Sequence, residues 1–304
     1  MTSPTLGWGF LCFYGATAVE NFRKREFLNE TKVAVIVFTG DNTAELISTV
    51  RHFAFNLPME WRFQIFYQKE HVKHQINRLL IGNSLQFPPG LLDKYRLILT
   101  RVYPSYGLEG RESSNNFYVR NSTFWRSIRG ERILMFHADS CLCSNSPHHI
   151  NDFIHFDYIG AAWPTHRLIG PDMWKPVPIN NITNQLYMGG NGGLSIRSRK
   201  SMIECALAAS NGSFPHEDGF AEDMFFASCV KQYLSNQILP SRSTAFKFAI
   251  ESTPIVDPNP LGCHKCFKYH TVETIAKVCP DAFLAMNRYT TKVTESSKDG
   301  INNT

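Results

Sequence analysis

The segment KVAVIVFTG at residues 32–40 constrains the fold more than any other feature, being a run of β-branched and small apolar residues closed by Gly40. It lacks alternation between apolar and polar positions, so it reads as a strand buried on both faces, the kind found in parallel sheets covered by helices. The following residues repeat that logic. DNTAELISTVRHFAFNL offers Asp41 or Asn42 as an N-cap and spaces Leu46, Val50 and Phe53 for a helix. WRFQIFYQ (61–68) reads as a second strand, EHVKHQINRLLI (70–81) as a second helix, YRLILTRV (95–102) as a third strand, and STFWRSIRGERILMFHAD as a further helix and strand. Strands separated by helices at these intervals imply a doubly wound α/β sheet, in which ligands gather at the carboxyl ends of the strands.

The second half is less regular. DFIHFDYIGAAWP carries a short strand and a turn, GPDMWKPVPINNITNQ is a Pro- and Asn-rich loop, and YMGGNGGLSIRSRK is a Gly-rich turn entering a strand. SRKSMIECALAAS, with Ser201 and Glu204 at capping-box spacing, and GFAEDMFFASCVKQYL both read as helices. No internal repeat or long linker divides the chain. The organisation expected is a leader over 1–30, one α/β domain over 31–289 and a polar, disordered tail over 290–304.

A net charge of +5, from 31 Lys+Arg against 26 Asp+Glu spread without long blocks of one sign, is too mild for a nucleic-acid partner but suits an anionic small ligand. Eight cysteines in 304 residues do not form the dense framework of a small secreted scaffold. Sequons begin at Asn29, Asn121, Asn181 and Asn211, a number close to chance for this composition and so weak support for a secretory location. The uncharged stretch from Leu6 to Val19 is shorter than the roughly 20 residues of a spanning helix, and it lacks the basic leader of a signal peptide. It reads as a disordered or surface-packed leader, with a remnant membrane anchor as the alternative.

Four constellations could carry chemistry. In RILMFHADSCLC an apolar strand stops on His137 and Asp139. Residues two apart in a strand face one side, although a turn starting here would splay them, and oxygen and imidazole donors suit a divalent cation. A helix cap or solvated turn would also explain a strand-end Asp. GGNGGLS (189–195) surrounds Asn191 with glycines that let the backbone approach a ligand, or that simply make a tight turn; it is neither a dinucleotide fingerprint nor a P-loop. HEDGFAEDMFF holds Glu217, Asp218, Glu222 and Asp223, the last two at the start of an apolar helix, where the helix end should depress a carboxylate pKa. A carboxylate aimed at an acceptor hydroxyl can still act as a base in the transition state. In PLGCHKCF, His264 lies between Cys263 and Cys266, whose C-x2-C spacing leaves open a zinc site, buried thiols or a local disulfide.

Taken in order, NNFYVRNSTFWRSIRGERILMFHADSCLC, FDYIGAAWP, GGNGGLSIRSRK, AEDMFF and PLGCHKCF resemble a family of GT-A-like glycosyltransferases carried as a domain of unknown function (DUF) in fungi, plants and some other eukaryotes. The resemblance spans about residues 30–270 and is specific in its order of motifs. The Gly-rich turn followed by Glu-Asp is more distantly similar to the beta-1,4-galactosyltransferase and beta-1,3-glycosyltransferase families.

The resemblance implies a GT-A-like (Rossmann-like) fold with a mixed, mostly parallel sheet flanked by helices. It also implies a metal-dependent, hexosyltransferase-like enzyme that moves a sugar from a nucleotide-sugar donor, a UDP-sugar first among them, to a glycan or other hydroxyl acceptor with inversion. Such families hold Mn2+ or Mg2+ on the donor diphosphate with a D-x-D element; Asp139 matches its last Asp, and His137 stands in its first slot. Asp223, with Glu222 before it, matches the general base, and His264 matches a C-terminal His of the metal shell. Phe38, Thr39 and Gly40 would line the base pocket, and Gly190, Asn191, Gly192 and Gly193 would leave room for the donor sugar. Trp163 would stack on a sugar face, or belong to the core or rim.

The departure at His137 keeps open a catalytically silent nucleotide- or glycan-binding module on the same fold, and Cys263 with Cys266 keep open a zinc-stapled interaction protein. Location leans to the Golgi and secretory pathway over the cytoplasm, with membrane association through a missing or truncated N-terminal anchor.

Overall fold

A computed structural model of the chain describes residues 31–40, 43–80, 96–102, 121–163, 189–214 and 221–285. The apolar run at 32–40 forms β1 (Lys32–Phe38), buried along almost its whole length in the middle of a six-stranded sheet. The other strands are β2 (Arg62–Tyr67), β3 (Leu97–Arg101), β4 (Arg132–Phe136), β6 (Tyr158–Ala162) and β7 (Gly190–Ser198), in the order β3-β2-β1-β4-β7-β6. β1 to β4 are parallel, with Val33 opposite Arg62 and Lys32 opposite Arg132. β7 runs antiparallel to both its neighbours, so the sheet is mixed but mostly parallel, as expected.

Side chains of successive strand residues point to opposite faces. Val33, Val35, Ile133 and Met135 therefore join one core with Phe124, Trp125, Phe225 and Phe226. Ala34, Ile36, Leu134 and Phe136 join the other with Leu46, Val50 and Phe53 of α1 (Thr43–Asn56). Phe53 stacks on Phe136 with ring centroids 4.1 Å apart, and burying such a side chain contributes about 1.5–3 kcal/mol. Helix α2 (Glu70–Leu80) follows β2, and α3 (Ser122–Ser127) precedes β4, capped by Asn121. Each intervening helix thus carries the chain back to start another parallel strand.

A second sheet of three short strands lies beyond β4. It comprises β5 (Ser140–Leu142), β8 (Ala249–Ile250) and β9 (Gly262–His264) in the order β5-β9-β8.

Three local expectations are corrected. The Gly-rich segment is not a turn before a strand but the first half of β7 itself. Helix α4 (Arg199–Ser210) is capped one turn earlier than the capping-box spacing suggested: Ser198 accepts from the Ser201 N–H, while the Ser201 hydroxyl donates to Asp157. The zinc alternative is contradicted because Cys263 is disulfide-bonded to Cys266. Cys143 pairs with Cys279, and Cys205 on α4 pairs with Cys229 on α5 (Glu222–Gln232), which among the described residues leaves Cys141 as a buried thiol.

The leader, the polar tail, the loop at 170–185, the proposed caps Asp41 and Asn42, and Glu217 and Asp218 lie outside the described residues. Among the described residues no helix is long and apolar enough to cross a membrane.

Candidate metal and carboxylate site

β4 ends at Phe136 and the chain turns at once, the Ser140 N–H donating to the His137 carbonyl at 3.1 Å. The His137 N–H and the Ser140 hydroxyl both donate to the Gly193 carbonyl at 2.8 Å, which ties this turn to β7. β5 then pairs antiparallel with β9 so that Ser140 faces His264, and the Lys265 N–H donates to the Asp139 carbonyl. β8 lies parallel to β9 with Ile250 opposite Cys263, so Glu251 follows beside His264. Strand register therefore sets His264 between two carboxylates: its Nε2 is 3.3 Å from Asp139 Oδ1 and its Nδ1 is 3.1 Å from Glu251 Oε1.

His137 and Asp139 are not splayed by the turn. One donor atom from each of His137, Asp139 and His264 lies within 4.8 Å of the others, and the two imidazoles meet edge to face at 5.5 Å. Burial and the neighbouring His264 charge push the His137 pKa down to about 4, leaving a neutral ring able to donate an electron pair. Burial opposes ionisation of Asp139, but His264, with His137 and Lys265, outweighs it and holds the carboxyl well below the usual range. Burial likewise opposes charging His264, and Asp139 and Glu251 together raise its pKa.

Asp139 Oδ1 and His264 Nε2 are close but not aligned as a hydrogen bond, and each is buried with no hydrogen-bond partner among the described residues. Leaving such an atom unsatisfied costs about 1–3 kcal/mol. An oxygen and two imidazole nitrogens, two of these atoms unsatisfied, form a donor set that fits a divalent first-row cation.

β7 supplies the floor. A Cβ at Gly193 would run into the His264 imidazole, and one at Gly192 into the Glu222 carboxylate and the Arg197 guanidinium. The space that a Cβ would take at these two glycines is thus filled by the protein's own side chains.

Asp223, in the first turn of α5, accepts from the Gly192 N–H at 3.2 Å and from the Met224 N–H at 2.8 Å. Gly192 and Gly193 are adjacent, so Asp223 and His264 flank neighbouring residues of one strand. The expected depression of the Asp223 pKa is reversed. Burial and the adjacent Glu222 raise it to about 6, overriding the two backbone donors and Arg197.

Glu222 is engaged by a different partner. Its carboxylate takes two hydrogen bonds from Arg197, at 2.7 and 3.0 Å. Arg197 is fully buried, donates also to the Ser195 hydroxyl and the Gly192 carbonyl, and lies 5.1–5.7 Å from the ring centres of Trp125, Tyr158 and Phe226.

Thr39 and Gly40 are exposed at the carboxyl end of β1, on the same sheet edge as His137, whereas Phe38 is packed into the core. Trp163 is also a core residue, with its ring against Gly189, where φ is +124°. That packing matches the core alternative given for it. Arg197 and Glu251 were not singled out in the sequence. A charged residue inside LSIRS, a segment otherwise patterned as a buried strand, was the legible signal for the first. Glu251 follows only two strand residues and left no such mark.

The family model for DUF5672, described as a protein of unknown function, matches residues 97–264, from the start of β3 to the histidine of the site. The chain belongs to the DUF5672 family. Asp139, Asp223 and His264 all fall within the matched DUF5672 span, and Glu251 does too.

No curated protein matches this DUF5672 chain. Among solved structures it is similar to core-mannan synthase A (CmsA/Ktr4) from Aspergillus fumigatus in its Mn/GDP form. The identity is 10%, the TM-score 0.39, and the match covers 67% of this chain and 72% of that one. It is also similar to the mannosyltransferase Ktr4p from S. cerevisiae in complex with GDP, with 9% identity, a TM-score of 0.40 and coverage of 69% and 75%. For the bifunctional glycosyltransferase WbbM in its apo form the values are 8%, 0.42, 78% and 46%, so the match spans less than half of that protein.

Proposed function

We propose that this DUF5672 chain is a metal-dependent glycosyltransferase with a GT-A-like catalytic domain over 31–289. It would move a sugar from a nucleoside diphosphate donor, UDP-sugars being the first to test, to a hydroxyl acceptor with inversion. The observation that carries the reading is the convergence of His137, Asp139 and His264, with Asp223 held at Gly192, next to the Gly193 that packs against His264.

Asp139 and His264 would hold the cation, and His137, neutral at physiological pH, would complete the donor set in the first slot of the D-x-D-like element. A divalent ion bound there supplies Lewis-acid stabilisation of the charge that grows on the departing diphosphate. Thr39 and Gly40, exposed at the end of β1, would meet the nucleotide. Asp223 would take the acceptor proton as the hydroxyl attacks. Glu222, both of whose oxygens are engaged by Arg197, is assigned to holding the start of α5 rather than to proton transfer. Three disulfides favour a secretory, oxidising location.

The test is a thermal shift with UDP or GDP, with and without Mn2+. The nucleotide is expected to raise Tm only when the metal is present, and Asp139→Ala is expected to remove that rise. A rise that survives the substitution contradicts the metal assignment.

The raised pKa of Asp223 gives a second expected result. Because the base must be ionised, kcat/KM should fall on the acid side with a limb near pH 6. The stability linkage has the opposite sense. An elevated carboxyl pKa contributes stability that is fully present below the ordinary value near 4 and lost as pH rises through about 6. Thermal unfolding across pH 4–8, compared between the parent and Asp223→Asn, checks this direction.

A further inference from the structure

Glu251 belongs to none of the motifs that suggested the site, yet among the described residues it makes the one aligned hydrogen bond to the His264 ring, at 3.1 Å to Nδ1. The contact from the other side, Asp139 Oδ1 to Nε2, is 3.3 Å long but misaligned, and neither atom has another partner among the described residues. A neutral imidazole carries one proton, and the aligned acceptor decides which nitrogen bears it. Here that is Nδ1, which leaves Nε2 with a free lone pair on the side of the ring where Asp139 lies.

Glu251 is itself fixed. Its carbonyl accepts from His270 Nε2 at 2.6 Å, the Ser252 hydroxyl lies 3.4 Å from Oε2, and the side chain is nearly inaccessible to solvent. Among the described residues its only ion-pair partner is His264. A buried carboxylate against a histidine that faces away toward other donor atoms is the arrangement by which proteins orient metal-ligating imidazoles.

We infer that Glu251 is a positioning residue that fixes the tautomer and orientation of His264, so that Nε2 faces a divalent cation shared with Asp139. The inference rests on the proposed metal-binding reading and assigns Glu251 no contact with substrate.

The test measures Mn2+ affinity by titration followed by electron paramagnetic resonance, on the full chain without substrate. Parent, Asp139→Ala, Glu251→Ala and Glu251→Gln are compared, each with its Tm. Losing an outer-shell partner of this kind typically weakens metal binding by about 10–100-fold. Glu251→Ala should show that loss and Glu251→Gln a smaller one, because the amide oxygen can still accept from Nδ1.

Mn2+ binding that Asp139→Ala removes, but that folded Glu251→Ala retains at parental affinity, overturns the role of Glu251 and leaves the metal reading standing. Failure of the parent to bind Mn2+ overturns both. A lowered Tm with unchanged affinity marks a merely structural role and also overturns the inference. Nitrogen-15 spectra of the parent, at a pH where the ring of His264 is neutral, provide a measurement that needs no variant. Protonated Nδ1 with bare Nε2 is expected, and the reverse tautomer overturns the inference.

Discussion

Asp223→Asn is expected to lower kcat for sugar transfer by about 10²–10⁴-fold, the usual contribution of a positioned general base. Mn2+ and nucleotide binding should stay close to parental, because Asp223 is held by Gly192 and Met224 and does not belong to the His137–Asp139–His264 cluster. An amide has nearly the same shape as the carboxylate but cannot accept the acceptor's proton. Steady-state transfer assays alongside nucleotide titrations separate the two effects. A variant that turns over at the parental rate would remove Asp223 from the mechanism, and one that loses nucleotide affinity with kcat intact would recast it as a binding group.

The second large effect falls on stability. Glu222→Gln leaves the guanidinium of Arg197 fully buried without its charge partner, and breaking a buried ion pair from one side costs about 3–5 kcal/mol. The loss should appear as a large fall in the urea midpoint. Removing both charges, in an Arg197→Met and Glu222→Leu double variant, should be less destabilising than Glu222→Gln alone, since no uncompensated charge is left behind. A Glu222→Gln protein as stable as the parent would show that the three aromatic rings and the Gly192 carbonyl suffice for Arg197. Because Glu222 also neighbours Asp223 and raises its pKa, the surviving activity of folded Glu222→Gln should have its acid limb shifted below pH 6.

The sheet was legible because its strands carry their burial in their composition. The uninterrupted apolar runs at 33–38 and 133–136 had to be covered on both faces, and the helical spacing of Leu46, Val50 and Phe53 supplied one cover. The glycines of β7 read as a turn for a physical reason. Gly192 and Gly193 are needed by partners 30 to 71 residues further along, Glu222 and His264, and no local pattern distinguishes a glycine that admits a distant side chain from one that makes a turn.

The site was legible in part. Asp139 stood out as a carboxylate ending an apolar strand, but its closeness to His264 depends on the pairing of three-residue strands β5 and β9, which are too short to announce their partners. Glu251 depends on the two-residue strand β8 in the same way. The Asp223 pKa was misjudged because the helix end was weighed without the burial and the Glu222 neighbour that outweigh it.

The central claim is that Asp139 and His264 grip one divalent ion at the carboxyl end of β4. Anomalous scattering from crystals grown with Mn2+ and a nucleoside diphosphate tests it most directly. A single strong peak is expected within coordination distance of both side chains, with His137 facing it and the diphosphate on its open side. A map with no peak between those two residues, or with the manganese held by a different set of side chains, would contradict it.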